Sequence, residues 1–218
     1  MTVSLLYSTP LWVCAKSIRK CWASEDKSDT TYDMKCEFVG EQPEAGEADK
    51  ALILRVGNKN KHASTLEHLN YSFDIDGISR ACLQELARHR HASMSVKSSR
   101  YTLKELKEAT NEELTGYLVQ LDDWVANKHN VLQLVEVRKA LQHGVANDKV
   151  KYMLPEAYKT SLVWTINARS LQNFLALRTN KAALWEIQDL ARAIYKELPE
   201  EHKYLFEDFV SAKGDIDD

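Results

Sequence analysis

The sequence predicts an α+β protein, a helix-rich mixed α/β single domain spanning residues 1–218. Two kinds of pattern lead there. Stretches that alternate apolar and polar residues are few and short, whereas stretches with an apolar residue every third or fourth position are long. The bulk composition agrees: 44% hydrophobic and 28% charged residues over 218 positions describe a chain able to bury a substantial core.

Taken in order, residues 2–8 read as a short strand and 11–22 as a helix. The acidic stretch 24–49 carries Gly40, Pro43 and Gly46 and reads as a loop or insertion. Leu69, Tyr71, Phe73 and Ile75 alternate with Asn70, Ser72, Asp74 and Asp76, a half-buried strand closed by Gly77. Ile78, Cys82 and Leu86 then repeat every fourth residue, which places Arg88-His89-Arg90 near a helix C-terminus. From His91 to Tyr101 apolar residues are scarce and Gly and Pro absent, the composition of an ordered, polar, phosphate-seeking loop. Thr110 and Glu113 form a capping box that opens a long helix. Its Leu114, Leu118, Leu121, Val125, Leu132 and Val135 make a stripe suited to a core or to a subunit contact. Leu162, Trp164 and Ile166 alternate as another strand, and helices are expected at about 170–178, 182–197 and 200–212.

Net charge of −3 argues against a general nucleic-acid binder, so the cations near residue 90 are a local feature. No apolar run reaches membrane-spanning length, and the first residues lack the basic start and apolar centre of a signal peptide. A cytoplasmic protein with neither membrane nor nucleic-acid partners is expected. Cys14, Cys21, Cys36 and Cys82 form no Cys-x-x-Cys pair and are expected to be reduced and mostly packing residues, with no metal site. None of the seven glycines lies in a phosphate-cradling motif, so a bound nucleotide must be held by side chains.

Three clusters offer such side chains. The first, Arg88-His89-Arg90 followed by Ser98, Arg100 and Tyr101, packs three guanidinium groups, two imidazoles (His89 and His91) and several hydroxyls into fourteen residues. Guanidinium groups suit phosphates and anionic rings, although cations in a last helical turn also complement the helix dipole. The second, His62 to His68, could be a helix cap at Ser64 or Thr65 supported by Glu67; its histidines stand six apart, off the spacing of a helical zinc pair. The third, Asn167 to Asn173, lies where a strand ends and a helix begins, where free amides attract anions. Arg169 and Asn173 are four apart there and Arg178 lies about two turns beyond Ser170; alternatively Ser170 is an N-cap and the arginines surface residues. Ser98 could be a nucleophile with His89 or His91 as base, but its flanking cations favour a phosphate donor.

Together these motifs resemble the flavin-dependent thymidylate synthases, the ThyX family, over nearly the whole chain. The hallmark is Arg-His-Arg, seven residues, then Ser-x-Arg, present as Arg88-His89-Arg90 and Ser98-Ser99-Arg100. His62 to His68 and Asn167 to Phe174 match the accompanying segments in order, and Ser95 to Tyr101 is most similar to the epsilonproteobacterial branch. The resemblance implies the ThyX fold and a cytoplasmic homotetramer with shared active sites. Its reaction is the methylation of dUMP to dTMP, with FAD as cofactor and methylenetetrahydrofolate and NADPH as co-substrates. It further implies FAD contacts from His62, Ser64, Arg88, His89, Arg90, Val96, Asn167, Ala168, Arg169 and Asn173. The dUMP contacts would come from Glu85, Leu86, Ala87, Arg88, Val96, Lys97, Ser98, Ser99, Arg100, Lys151 and Arg178. Arg178 matches the arginine that polarises the uracil, a sound role for a cation preorganised where negative charge develops. Three positions depart from the commoner family pattern: Val96 replaces Glu, Glu85 replaces Gln, and Lys151 replaces a phosphate-binding Arg. Two rival readings are a related flavin enzyme that methylates dCMP or adds hydroxymethyl, and a non-enzymatic nucleotide- or RNA-binding module.

Overall fold

A computed structural model describes residues 1–31 and 43–211. Strand β1 (Thr2–Ser8) leads through Pro10, whose fixed φ suits a helix entry, into α1 (Leu11–Cys21), which buries Leu11, Cys14, Ala15 and Ile18. Helix α2 (Glu47–Ile53) widens into a π-helical turn, Leu54–Lys59, and a 3₁₀ segment, Ala63–His68, precedes β2 (Asn70–Ser79). Then come α3 (Arg80–Leu86), β3 (Ala92–Val96), and the short α4 (Ser99–Thr102) and α5 (Asn111–Gly116). The 19-residue α6 (Trp124–Gln142) and the short α7 (Asn147–Val150) lead to β4 (Lys159–Asn167), which runs straight into α8 (Ala168–Arg178); α9 (Trp185–Glu197) and 3₁₀ turns follow.

The strands form one sheet in the order β1-β2-β4-β3. The Thr9 amide donates to Asn70 O while Met1 lies beside Gly77, so β1 and β2 run antiparallel. β2 and β4 are likewise antiparallel: the Ser72 and Thr165 hydroxyls bond at 2.8 Å and the Arg80 amide donates to Tyr158 O. Helix and antiparallel sheet together make the α+β class expected.

The chain groups into two compact units, Met1–Thr2 with Ile75–Arg88 and Met94–Val163, and Val3–Asp74 with His89–Ser93 and Trp164–Asp218. In the first unit the core is aliphatic, with Leu103, Leu106, Leu114, Leu134, Val137 and Val150 fully buried. In the second, a group of aromatic rings packs among aliphatic side chains such as Ile18, Leu69, Leu171 and Leu190. Tyr71 meets Phe206 edge-on at 5.7 Å, and Trp164 meets Phe174 at 5.0 Å, arrangements the ring quadrupoles favour.

Several expectations are corrected. Gly77 does not close β2; the strand continues to Ser79, and the buried positions pass from Tyr71, Phe73 and Ile75 to Ile78. That one-residue phase slip is what a left-handed residue introduces, and Gly77 has φ +78°. The stretch 91–101 is an edge strand plus a helical turn rather than a loop, since the Lys97 amide donates to Ser161 O beside β4. The Thr110–Glu113 box is present but opens only six residues. The chain then leaves the helix because Tyr117 and Val119 bond to Lys159 and Ala157, and α6 restarts with Asp123 as its cap. Its buried stripe is Leu134, Val137 and Leu141, while Val125 and Leu132 are exposed. No continuous helix covers 200–211, where short 3₁₀ turns stand instead. Of the stretch 24–49, α2 claims the end from Glu47, and residues 32–42 lie outside those described.

Candidate active site

The second unit holds two of the three clusters and part of the other. Asn167 ends β4 and caps α8, its Oδ1 accepting the Ser170 amide at 2.9 Å, so the cap is Asn167 and not Ser170. Ala168 is buried, and its amide donates to Leu69 O at 2.7 Å, which anchors the start of the helix. Arg169 and Asn173 then share one exposed side, as four-residue spacing requires. Arg169 Nη1 donates to Glu67 Oε1 at 2.7 Å. Both partners of that pair are about half exposed, so it orients the guanidinium more than it stabilises the fold. Glu67 therefore links the His62–His68 segment to α8 instead of supporting a cap.

His62 is exposed at the head of the 3₁₀ segment, with its carbonyl accepting the Thr65 hydroxyl at 2.9 Å. Ser64 and Arg90 are also exposed. At the far end of α8, Arg178 donates its Nε–H to His89 Nε2 at 2.9 Å, and the His89 ring stands edge to face with Phe174 at 4.9 Å. Thus His62–His68 meets Asn167–Phe174 through Glu67 and Arg169, and His89 of the Arg-His-Arg motif meets the same helix through Arg178.

The first unit holds Arg88, Val96 and the remaining expected nucleotide contacts. Leu86 is fully buried in α3, so its side chain packs the core and only its backbone can face a ligand. Glu85 is half-buried, with Arg88 Nη1 3.8 Å from its carboxylate. That cation partly offsets the charge of Glu85. Ala87 and Arg88 are exposed just past the helix end. Val96 is 38% exposed at the end of β3, and Lys97 pairs with Glu105 at 3.3 Å. Ser98 is the first-turn cap residue of α4, but its hydroxyl caps no amide; its carbonyl accepts the Tyr101 and Thr102 amides. Ser99 is half-buried, and the exposed Arg100 lies 5.7 Å from the Tyr101 ring, its carbonyl held by Asn147 Nδ2 at 2.8 Å. Lys151 is half-buried, with Nζ 6.0 Å from the Tyr152 ring. The described residues contain no cluster of three or more His, Cys, Asp or Glu able to hold a metal ion.

The family described as thymidylate synthase complementing protein matches residues 4–202. The chain belongs to the flavin-dependent thymidylate synthase family. Among its ThyX relatives, the flavin-dependent thymidylate synthase of Wolinella succinogenes is 55% identical over 212 residues, covering 94% of this chain and 97% of the relative. That of Campylobacter jejuni is 52% identical over 213 residues, covering 95% and 96%. A crystal structure of Helicobacter pylori ThyX with FAD and dUMP superposes with a TM-score of 0.87 at 47% identity, covering 97% of this chain and all of that one. A Streptomyces cacaoi UMP/dUMP methylase shares the fold at 23% identity and a TM-score of 0.70 over 97% of both chains.

Sequence reasoning missed Asn58 and Gln172, both bonded to Leu205 O behind this site. No local motif marks them; only the fold brings them together.

Proposed function

We propose that the chain methylates dUMP to dTMP, with methylenetetrahydrofolate as one-carbon donor, FAD as cofactor and NADPH as reductant. Family membership supports the reaction class. The observation that carries it to these residues is the joining of His62–His68 and His89 to the one helix α8 by the Glu67–Arg169 and His89–Arg178 contacts.

The donors fit FAD: Arg169 and Asn173 lie exposed on one side of α8, and His62, Ser64 and Arg90 are exposed in the same unit. All are side chains, as a sequence without a glycine cradle demands. His62, Ser64, Arg88, His89, Arg90, Val96, Asn167, Ala168, Arg169 and Asn173 would hold this cofactor. Bound and reduced, FAD would supply the hydride that turns the transferred carbon into a methyl group. Glu85, Leu86, Ala87, Arg88, Val96, Lys97, Ser98, Ser99, Arg100 and Lys151 would hold dUMP. Val96 and Leu86 would do so through backbone, the arginines and Lys151 through charge. Arg178 would stabilise negative charge developing on the uracil, its guanidinium held in place beforehand by His89.

The same reading makes the active enzyme a cytoplasmic homotetramer built from a single 1–218 domain. Among the described residues no helix is long and apolar enough to cross a membrane. The deciding experiment is an anaerobic single turnover with reduced protein, methylenetetrahydrofolate and dUMP, in which dTMP is expected. Colourless protein that cannot be reconstituted with FAD contradicts the cofactor reading. Flavin binding without dTMP, together with turnover of dCMP, redirects the substrate.

A further inference from the structure

We propose that Gln172 and Asn58 are positioning residues that act through the π-helical turn Leu54–Lys59 to hold His62 beside the flavin-binding side of α8. The proposal rests on the reading that His62, Arg169 and Asn173 serve the flavin.

The chain reaches His62 by an uncommon path. At the end of α2 the helix widens, with the Asn60 amide donating to Arg55 O, five residues back, at 2.8 Å. The His62 amide reaches Val56 O at 3.0 Å. Between these bonds Lys61 adopts φ +57°, a left-handed conformation that a residue with a Cβ resists. Widened turns of this kind recur at functional sites, and a strained residue persists only where its surroundings over-determine it.

Two contacts supply that constraint. Gly57 sits so close to the His62–His68 segment that a Cβ there would come within 2.7 Å of Leu66 Cδ2. Behind it, Asn58 Nδ2 donates to Leu205 O at 3.0 Å, while Gln172 Nε2 lies 3.0 Å from Asn58 Oδ1 and 2.8 Å from Leu205 O. Gln172 is 5% exposed on α8, three residues after Arg169 and immediately before Asn173. A buried carboxamide is costly unless its hydrogen bonds are made, and this one divides its amide between Asn58 of the turn and the Leu205 carbonyl that Asn58 also holds. One small polar cluster therefore joins the helix that carries Arg169 and Asn173 to the turn that delivers His62.

A purely structural amide would lower the melting temperature and leave the ligand affinity of the folded protein unchanged. The test is a double-mutant cycle of Gln172→Met and His62→Ala in the full-length protein, reading FAD affinity and the flavin absorbance spectrum well below the melting temperature. Each single variant is expected to weaken FAD on the order of tenfold. The double variant is expected to lose little more than His62→Ala alone, because Gln172 acts through that residue. Unchanged affinity in Gln172→Met beside a weakened His62→Ala, or fully additive losses, overturns the proposal. If His62→Ala itself binds FAD normally, the flavin reading of His62 fails and the proposal with it. Should Gln172→Met not fold, Asn58→Asp, which keeps an acceptor for Gln172 but loses the donor to Leu205 O, runs the same cycle.

Discussion

Arg178 donates its Nε–H to His89 Nε2 across 2.9 Å, and that imidazole stands edge to face with Phe174. An accepting Nε2 carries no proton, so the ring is held in the tautomer protonated at Nδ1. A guanidinium anchored at Nε keeps its two Nη groups at a set place, whereas a lysine would present one mobile charge. Preorganised cations of this kind account for large shares of catalytic rate.

Arg178→Lys is therefore expected to lower single-turnover dTMP formation on the order of 100-fold, with FAD still bound. Arg178→Ala should fall at least as far. Near-normal turnover in the lysine variant would remove the role assigned to the fixed fork.

Lys151 offers a point charge where an arginine would offer a two-pronged fork. Its Nζ also lies 6.0 Å from the Tyr152 ring, within range of a cation–π attraction. If it binds phosphate equally in ground and transition states, Lys151→Ala raises KM for dUMP about tenfold with kcat little changed. Steady-state kinetics at saturating folate checks this. A collapse of kcat at constant KM would instead place Lys151 in the chemistry.

What could be read from the chain depended on how local the cause was. The buried alternation of Tyr71, Phe73 and Ile75, the Thr110–Glu113 box and the strand around Trp164 are written within a few residues, and they stand as expected. The supposed long helix failed because its interruption comes from Lys159 and Ala157, far along the chain from Tyr117 and Val119. The 200–212 helix failed for a similar reason: Leu205 O is taken by Asn58 and Gln172 rather than by a helical amide. The arginines and histidines of the site were legible as types, and their partners were not. Glu67 looked like part of a cap until α8 brought Arg169 to it.

Another distant pairing holds the N-terminal part of the second unit. Asp49 is fully buried, accepting from Ser28 Oγ at 2.6 Å, Thr30 Oγ1 at 2.7 Å and Arg19 Nε. Burial pushes its carboxyl upward, but those three hydrogen bonds and the Arg19 charge outweigh it and hold the group below its ordinary value. Such a carboxylate stabilises the fold above the ordinary aspartate range, and that contribution is lost as pH falls through its lowered value. Asp49→Asn leaves Arg19, 7% exposed, without its counter-charge. A loss of about 3–5 kcal/mol in urea unfolding at neutral pH is expected; a change under 1 kcal/mol would show the pair to be dispensable.

His202 governs a higher pH range. It is 2% exposed, with Nδ1 2.8 Å from the Tyr71 hydroxyl and the ring edge-on to Tyr71 at 5.6 Å. Burial lowers its pKa to about 4, and the Glu201 carboxylate, 4.0 Å from Nε2, opposes this only in part. Protons therefore bind more readily to the unfolded chain, and stability must rise with pH between the folded and unfolded values. Above about pH 6.5 the contribution is complete; toward pH 4 it fades, by up to about 3 kcal/mol for a shift of this size. Urea unfolding at pH 7, 6, 5 and 4.5 should show the decline in the native sequence. In the double variant Tyr71→Phe with His202→Leu, which removes both polar partners together, the slope over that range should be shallower by most of this amount. Equal slopes would mean that His202 takes up its proton in the folded protein as easily as in the unfolded chain.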